Sequence, residues 1–149
     1  LHVVEEESPV HFDEVVRRIR EAAGKERAGN FIRDRINTGI NELKGKVIRD
    51  ENNFLWKSPK NIQTIRNRAE FLPYLKKIDF IHPEETKRSL IETVKKSFGI
   101  SRQEAISLAL EMLGFARITE LMSQQIDVLI QELILSGRIT QTGDVLKIN

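Results

Sequence analysis

The chain has 149 residues, 40% of them apolar and 31% charged, with a formal net charge of +2 and no cysteine. That balance excludes a disordered chain and suits one ordinary domain or two small ones. Without cysteine there are no disulfides, thiolate zinc sites or cysteine nucleophiles, which fits a reducing, cytoplasmic setting, and no apolar run approaches the about 20 residues of a membrane-spanning helix, so no membrane partner is expected.

The first residue is Leu1 and no signal peptide is visible, which reads as a fragment of a longer protein. Residues 1–7, "LHVVEEE", form a short remnant, and "SPVHF" after it is β-like. A helix is predicted over 13–23, with Asp13 as N-cap, Val15, Val16, Ile19 and Ala23 on one face, and Gly24 as its stop. The next helix runs over 27–44, with Ile32, Ile36, Ile40 and Leu43 on one stripe and Gly45 as its stop. Two short apolar runs around Asp50, Glu51, Asn52 and Asn53 then read as a β-hairpin. From 59 to 81 there is no clean helical stripe; this is a connector packed through Phe71, Leu72, Tyr74 and Phe80.

The order then repeats. A helix over 82–99 has Pro83 in its first turn, a stripe of Leu90, Ile91, Val94 and Phe98, and Gly99 as its stop. "SRQE" at 101–104 is a capping box for a helix ending near Gly114. Thr119 caps a third helix with Met122, Ile126, Leu129, Ile130 and Leu133 on its stripe, and a hairpin over 136–149 closes the chain. Each half ends as helix, glycine, hairpin, the plan of a winged helix. The expected fold is mainly α with small β-hairpins (α+β): two tandem winged-helix-like units. The first spans 1–58 with its first helix truncated, the connector spans 59–81, and the second unit spans 82–149. A two-stranded wing cannot bury itself, so Phe54 and Trp56, or Val145, Leu146 and Ile148, should pack on the helices, with the alternate face wet.

Charge separates the halves. Residues 1–14 hold five acids and no Lys or Arg, residues 15–49 hold ten Lys/Arg against four Asp/Glu, and residues 89–149 hold six against seven. The middle stretch is either a solvated basic surface or a polyanion-binding face. On the helix over 27–44, Asn30, Arg33, Asn37 and Asn41 share a strip away from the isoleucines, flanked by Arg27 and Asp34. Arg and Asn side chains make bidentate contacts to guanine and adenine edges or bind phosphates, and this is the helix that enters the major groove in helix-turn-helix domains. Surface tolerance is the plain alternative. Lys46, Arg49, Lys57 and Lys60 add candidate phosphate contacts from the wing, whereas the acidic tip at Asp50 and Glu51 opposes wing insertion. The matching strip of the second half, Ser123, Gln124, Asp127 and Gln131, carries no base and suits protein contact.

No catalytic constellation is legible. His2, His11 and His82 lie far apart, and there is no phosphate loop or nucleophile motif, so no catalytic or metal-binding residue and no cofactor is expected. The pieces Pro9-Val10-His11, Phe54-Leu55-Trp56, Arg66 with Arg68, Pro83-Glu84-Glu85, Phe98-Gly99-Ile100 and Leu113-Gly114-Phe115 with Arg117 resemble a domain of unknown function. That domain is found at the C-terminal end of large superfamily 1 DNA helicase-like proteins, and the resemblance covers nearly the whole chain. It implies an ATP-driven motor elsewhere in the polypeptide and supplies no catalytic residues. Arg66, Arg68 and Arg117 become possible partner contacts, although Arg117 also suits the carbonyls ending the preceding helix. The leading expectation is an accessory module binding DNA, duplex rather than single-stranded, within a helicase-like polypeptide. The alternative is a protein-interaction module docking on the helicase core or another subunit.

Overall fold

The computed structural model describes all residues except 25–28, 59, 61, 63 and 149. The fold is α+β, with six helices and two three-stranded antiparallel sheets among the described residues. Two compact units divide the chain: Leu1–Ile62 with Pro73–His82, and Gln63–Leu72 with Pro83–Asn149. The stretch expected as a connector is therefore shared between them, its first part folding with the second unit and its last part with the first.

Unit one contains α1 (His2–Glu7), β1 (Val10–His11), α2 (Phe12–Ala22), α3 (Asn30–Glu42), β2 (Val47–Arg49) and β3 (Phe54–Lys57). The remnant expected at the start is thus helical. The N-cap of α2 is His11 rather than Asp13: its Nδ1 accepts the Asp13 amide at 3.2 Å, satisfying one donor of the first turn. The sheet order is β1-β3-β2, with Val10 opposite Leu55 and Ile48 opposite Trp56. Val4, Val10, Val15, Val16, Ile32, Val47 and Leu55 form the helix-facing core.

The wing packs one residue out of the expected phase. Leu55 meets the helices, while Phe54 and Trp56 point to the other face, because side chains alternate along a strand. That face is not wet. Residues 73–82 return across it, and Phe80 and His82 join His11, Phe54 and Trp56 in one aromatic cluster, with ring centroids 4.8–5.2 Å apart. Arg17 fastens this return: its Nη1 donates to the Tyr74 carbonyl at 2.9 Å and its guanidinium lies 5.2 Å from the Phe80 ring centre. Of the connector's four expected packing residues, Phe80 is buried, Phe71 and Tyr74 are half-buried and Leu72 is exposed.

Unit two repeats the order with α4 (Pro83–Ser97), β4 (Ile100–Ser101), α5 (Arg102–Met112), α6 (Glu120–Leu135), β5 (Thr140–Thr142) and β6 (Val145–Lys147), and the sheet order β4-β6-β5. Ser101 and Thr119 cap α5 and α6, accepting the Glu104 and Met122 amides at 3.2 Å. Leu90, Val94, Ile106, Leu110, Ile126, Ile130, Leu133 and Leu146 are fully buried, each contributing about 1.5–3 kcal/mol. Phe98 is not on the buried stripe: α4 ends at Ser97, and Phe98, at φ +55, turns out to solvent. Of the three apolar residues expected to pack from the second hairpin, Leu146 is fully buried, Val145 is exposed and Ile148 half-buried.

Gly114 marks where the chain crosses itself. At φ +98 it permits a backbone that L-residues rarely adopt, and a Cβ there would lie 2.4 Å from the Ala69 nitrogen and 2.5 Å from that of Arg68. The Arg68 amide donates to the Leu113 carbonyl at 3.0 Å, so residues 68–69 lie directly on the α5 terminus.

Candidate nucleic-acid interface

The solvent side of α3 carries the expected strip. Asn30 and Asn41 are exposed, whereas Arg33 and Asn37 already have partners within the unit. Arg27 lies outside the described residues. Arg33 Nη1 donates to Asp13 Oδ1 at 2.8 Å, across to the first turn of α2. Arg49, from the wing strand β2, donates through Nη1 to Asn37 Oδ1 at 3.1 Å and through Nε to Asn53 Oδ1 at 2.6 Å. Its guanidinium lies 4.1 Å from the centre of the buried Phe12 ring, and that of Arg33 lies 5.7 Å away. Arg33, Asn37 and Arg49 therefore converge around Phe12 and tie the start of α2, the middle of α3 and the wing together. Unit two makes the same junction with its arginine moved: Arg102, at the start of α5, donates to Asp127 on α6 and to Gln141 on β5.

Lys46 and Lys57 do not join that cluster. With Lys44 and Glu5 they line a separate depression of about 420 Å³ at the foot of the wing. Three of the five acids in the first 14 residues pair with the basic stretch. Glu7 and Glu14 hold Arg18 at 2.6 and 2.7 Å, and Asp13 holds Arg33. Burial alone would lower the Arg18 pKa, but its hydrogen bonds to those two carboxylates outweigh this and raise it. The excess of positive charge read along 15–49 is thus partly neutralised inside the unit.

Asp50 is not a solvated tip. It accepts from Trp56 Nε1 at 2.6 Å, the Phe54 amide at 2.9 Å and the Asn52 amide at 3.0 Å, and its Oδ2 lies 3.0 Å from His82 Nε2. Burial alone would raise its pKa; the hydrogen bonds from Trp56 and Phe54 and the pairing with His82 outweigh this and hold the carboxyl below its usual range. Of the two acids at the tip, Glu51 is the exposed one. This cluster escaped sequence reasoning because His82 lies 32 positions from Asp50 and no periodic signal links them.

The three arginines considered as partner contacts divide. Arg68 is 2% exposed, with Nη1 and Nη2 each 2.8 Å from an oxygen of Glu85, and the Arg66 amide donates to the same carboxylate at 2.8 Å. Arg68 Nη1 also donates to the Arg66 carbonyl at 2.7 Å. The Arg68 side chain is thus turned into unit two, as a clamp on the start of α4, instead of outward to a partner. Arg66 has one nitrogen 3.9 Å from the same Glu85, while Arg117 is exposed. Among the described residues no three His, Asp or Glu side chains converge as metal ligands, and no helix is long and apolar enough to cross a membrane.

Residues 1–34 match the family described as "Protein of unknown function (DUF3320)". No curated protein and no solved structure matches the chain.

Proposed function

We propose that the chain is a non-catalytic module of a larger helicase-like polypeptide, built from two winged-helix-like units, the first of which binds duplex DNA. The carrying observation is the polar side of α3, where Asn30, Arg33, Asn37 and Asn41 form a strip beside the stripe of Ile32, Ile36 and Ile40, with the hairpin held alongside by Arg49. In helix-turn-helix domains such a side faces the major groove. The ion pair between Arg33 and Asp13 is shallow, with side-chain exposures of 43% and 38%, and is worth less than about 1 kcal/mol, so a phosphate competes for the guanidinium. The inward turn of Asp50 directs its carboxylate to Trp56 and His82 and away from the solvent side of the hairpin tip, and Lys46 and Lys57 add cations at its foot. The helicase context rests on the sequence resemblance alone.

The test is a titration of labelled duplex and labelled single strand at about 50 and 200 mM salt, a range over which several phosphate contacts cost orders of magnitude in affinity. Duplex should bind more tightly, with a steep salt loss. Combining Arg33→Gln, Lys46→Gln and Lys57→Gln should weaken binding across sequences and reduce the salt slope by about 1 for each phosphate no longer neutralised. Unchanged affinity and slope in that variant would place the DNA-binding surface elsewhere.

A second reading, docking of unit two on a protein, is favoured by α6. Leu121, Val128 and Leu135, at seven-residue spacing, are 66%, 59% and 78% exposed in a helix that contains no Lys or Arg. Such a stripe suits a partner helix. Association through it should be insensitive to salt and be lost on Val128→Glu; association that survives this change would remove α6 from the interface.

A further inference from the structure

The two units correspond residue by residue over most of their helices. One constant offset carries Val4 onto Val94, Val10 onto Ile100, the cap His11 onto the cap Ser101, Glu14 onto Glu104 and Gly24 onto Gly114. The same offset carries Ile36, Ile40 and Leu43 of α3 onto Ile126, Ile130 and Leu133 of α6. Burial does not follow the correspondence. Ile126, Ile130 and Leu133 are fully buried, whereas Ile36, Ile40 and Leu43 are only half-buried. Ile19 is exposed although its counterpart, Ala109, is fully buried.

The first helix accounts for the difference. α4 has 15 residues and packs on both α5 and α6, burying Thr86, Ser89 and Leu90 in its first turns. α1 has six residues, and the offset places them on the last turns of α4. Nothing in α1 corresponds to Thr86, Ser89 or Leu90. What remains between α2 and α3 is an apolar groove of about 620 Å³, lined by Leu1, Ile19, Phe31, Ile36, Ile40 and Leu43. The groove lies on the side of α3 away from the Asn30 and Asn41 strip, and four of the positions that line it are fully buried where unit two repeats them at Ala109, Ile126, Ile130 and Leu133.

We propose that this groove seats an amphipathic α-helix joined to the N-terminal end of α1, laid across α2 and α3 as the first turns of α4 lie across α5 and α6. Its recognition chemistry follows from the repeat. It presents small or apolar residues at the positions equivalent to Thr86, Ser89 and Leu90, stacked on one face by the 3.6-residue period. Charged residues occupy its outer side, above Arg35 and Glu42 at the groove margin. The end of α1 fixes the direction and register of this helix, which a second copy of the chain approaching from outside would not share.

The test lengthens the chain by the sequence of residues 83–90 placed directly ahead of Leu1, so that Leu1 takes the place of Ile91. The position of Glu85 is filled with alanine, since its partner Arg68 belongs to unit two. Covalent attachment gives the added turns an effective concentration of about millimolar, enough to reveal a modest fit. Methyl NMR should then show the Ile19, Ile36 and Ile40 signals shifted from those of the parent, with slower exchange of the neighbouring amides. The same extension with Leu90→Asp, or with Ile19→Glu in the groove, should return the Ile36 and Ile40 signals to their parental positions; Ile19, 40% exposed, is open enough for the second change to leave the unit folded. Unshifted methyls in the lengthened chain would overturn the proposal. So would shifts in the parent that grow with protein concentration alongside a dimer mass, which would assign the groove to a second copy.

Discussion

Glu85→Ala removes the carboxylate from a guanidinium that has no route to water. Arg68 is 2% exposed and donates twice to Glu85 at 2.8 Å, and the same carboxylate receives the Arg66 amide. Loss of one partner leaves a buried charge unpaired, which costs about 3–5 kcal/mol. A domain holds only about 5–15 kcal/mol in total, so the variant should lose at least about a fifth of its stability. For a unit of this size about 1 kcal/mol shifts Tm by about 4–8 °C, so a fall of more than about 12 °C is expected. Arg68→Met should cost a similar amount. The double variant Arg68→Met with Glu85→Leu should recover most of the loss, because an apolar pair of similar volume removes both desolvated charges together. Urea unfolding followed by circular dichroism, with hydrogen exchange of the α4, α5 and α6 amides, measures all three. Single variants that lose less than about 1 kcal/mol, or a double variant as unstable as the summed singles, would refute the buried clamp.

Gly114→Ala should destabilise unit two by more than the about 1–3 kcal/mol of backbone strain, since the new Cβ also meets the backbone of residues 68–69; thermal unfolding reads the loss, and a neutral result would mean that the crossing is loose. Acid should loosen the wing of unit one. The Asp50 carboxyl is held below its usual range, so its contribution is complete above the ordinary aspartate value of about 4 and is lost as pH falls through the lower folded value. The one tryptophan, Trp56, donates to Asp50, so its fluorescence should follow that loss, and the step should vanish in Asp50→Asn. His11 titrates earlier. Burial lowers its pKa, so the folded chain resists its protonation, and stability should decline as pH falls below about 6.5 through the lowered value. Protonation also removes the lone pair that caps α2, and the decline over this window should be smaller in a His11→Ala chain than in the parent.

Most helix positions were legible because the signals that set them are local. Ser101 and Thr119 cap where expected, and Gly24, Gly45, Gly99 and Gly114 follow helix ends with positive φ. Of the third strands, β1 lies within the stretch read as β-like, but β4 was not legible, since two residues carry no periodicity and Ile100 is a strand residue only by pairing with Leu146. The facing of Phe54, Leu55 and Trp56 was undecidable for another reason: three consecutive apolar residues fit a strand buried on both faces, and the cover for the second face comes from residues 73–82. On α3 the polar strip was correctly separated from the apolar stripe, yet the commitment of Arg33 to Asp13 and of Asn37 to Arg49 lies in other elements.

By itself the sequence determined the helices, their ends, the two hairpins and the repetition of one plan, because backbone hydrogen bonding, capping and side-chain period act within a few residues. Tertiary structure decided the rest. It turned Asp50 from a wing tip into the acceptor of Trp56 beside His82, and it buried Arg68 against Glu85. It also left Ile36, Ile40 and Leu43 of α3 half-buried where Ile126, Ile130 and Leu133 of α6 are fully buried. Each of these depends on which distant segment returns to which face, and the local sequence holds no record of that return.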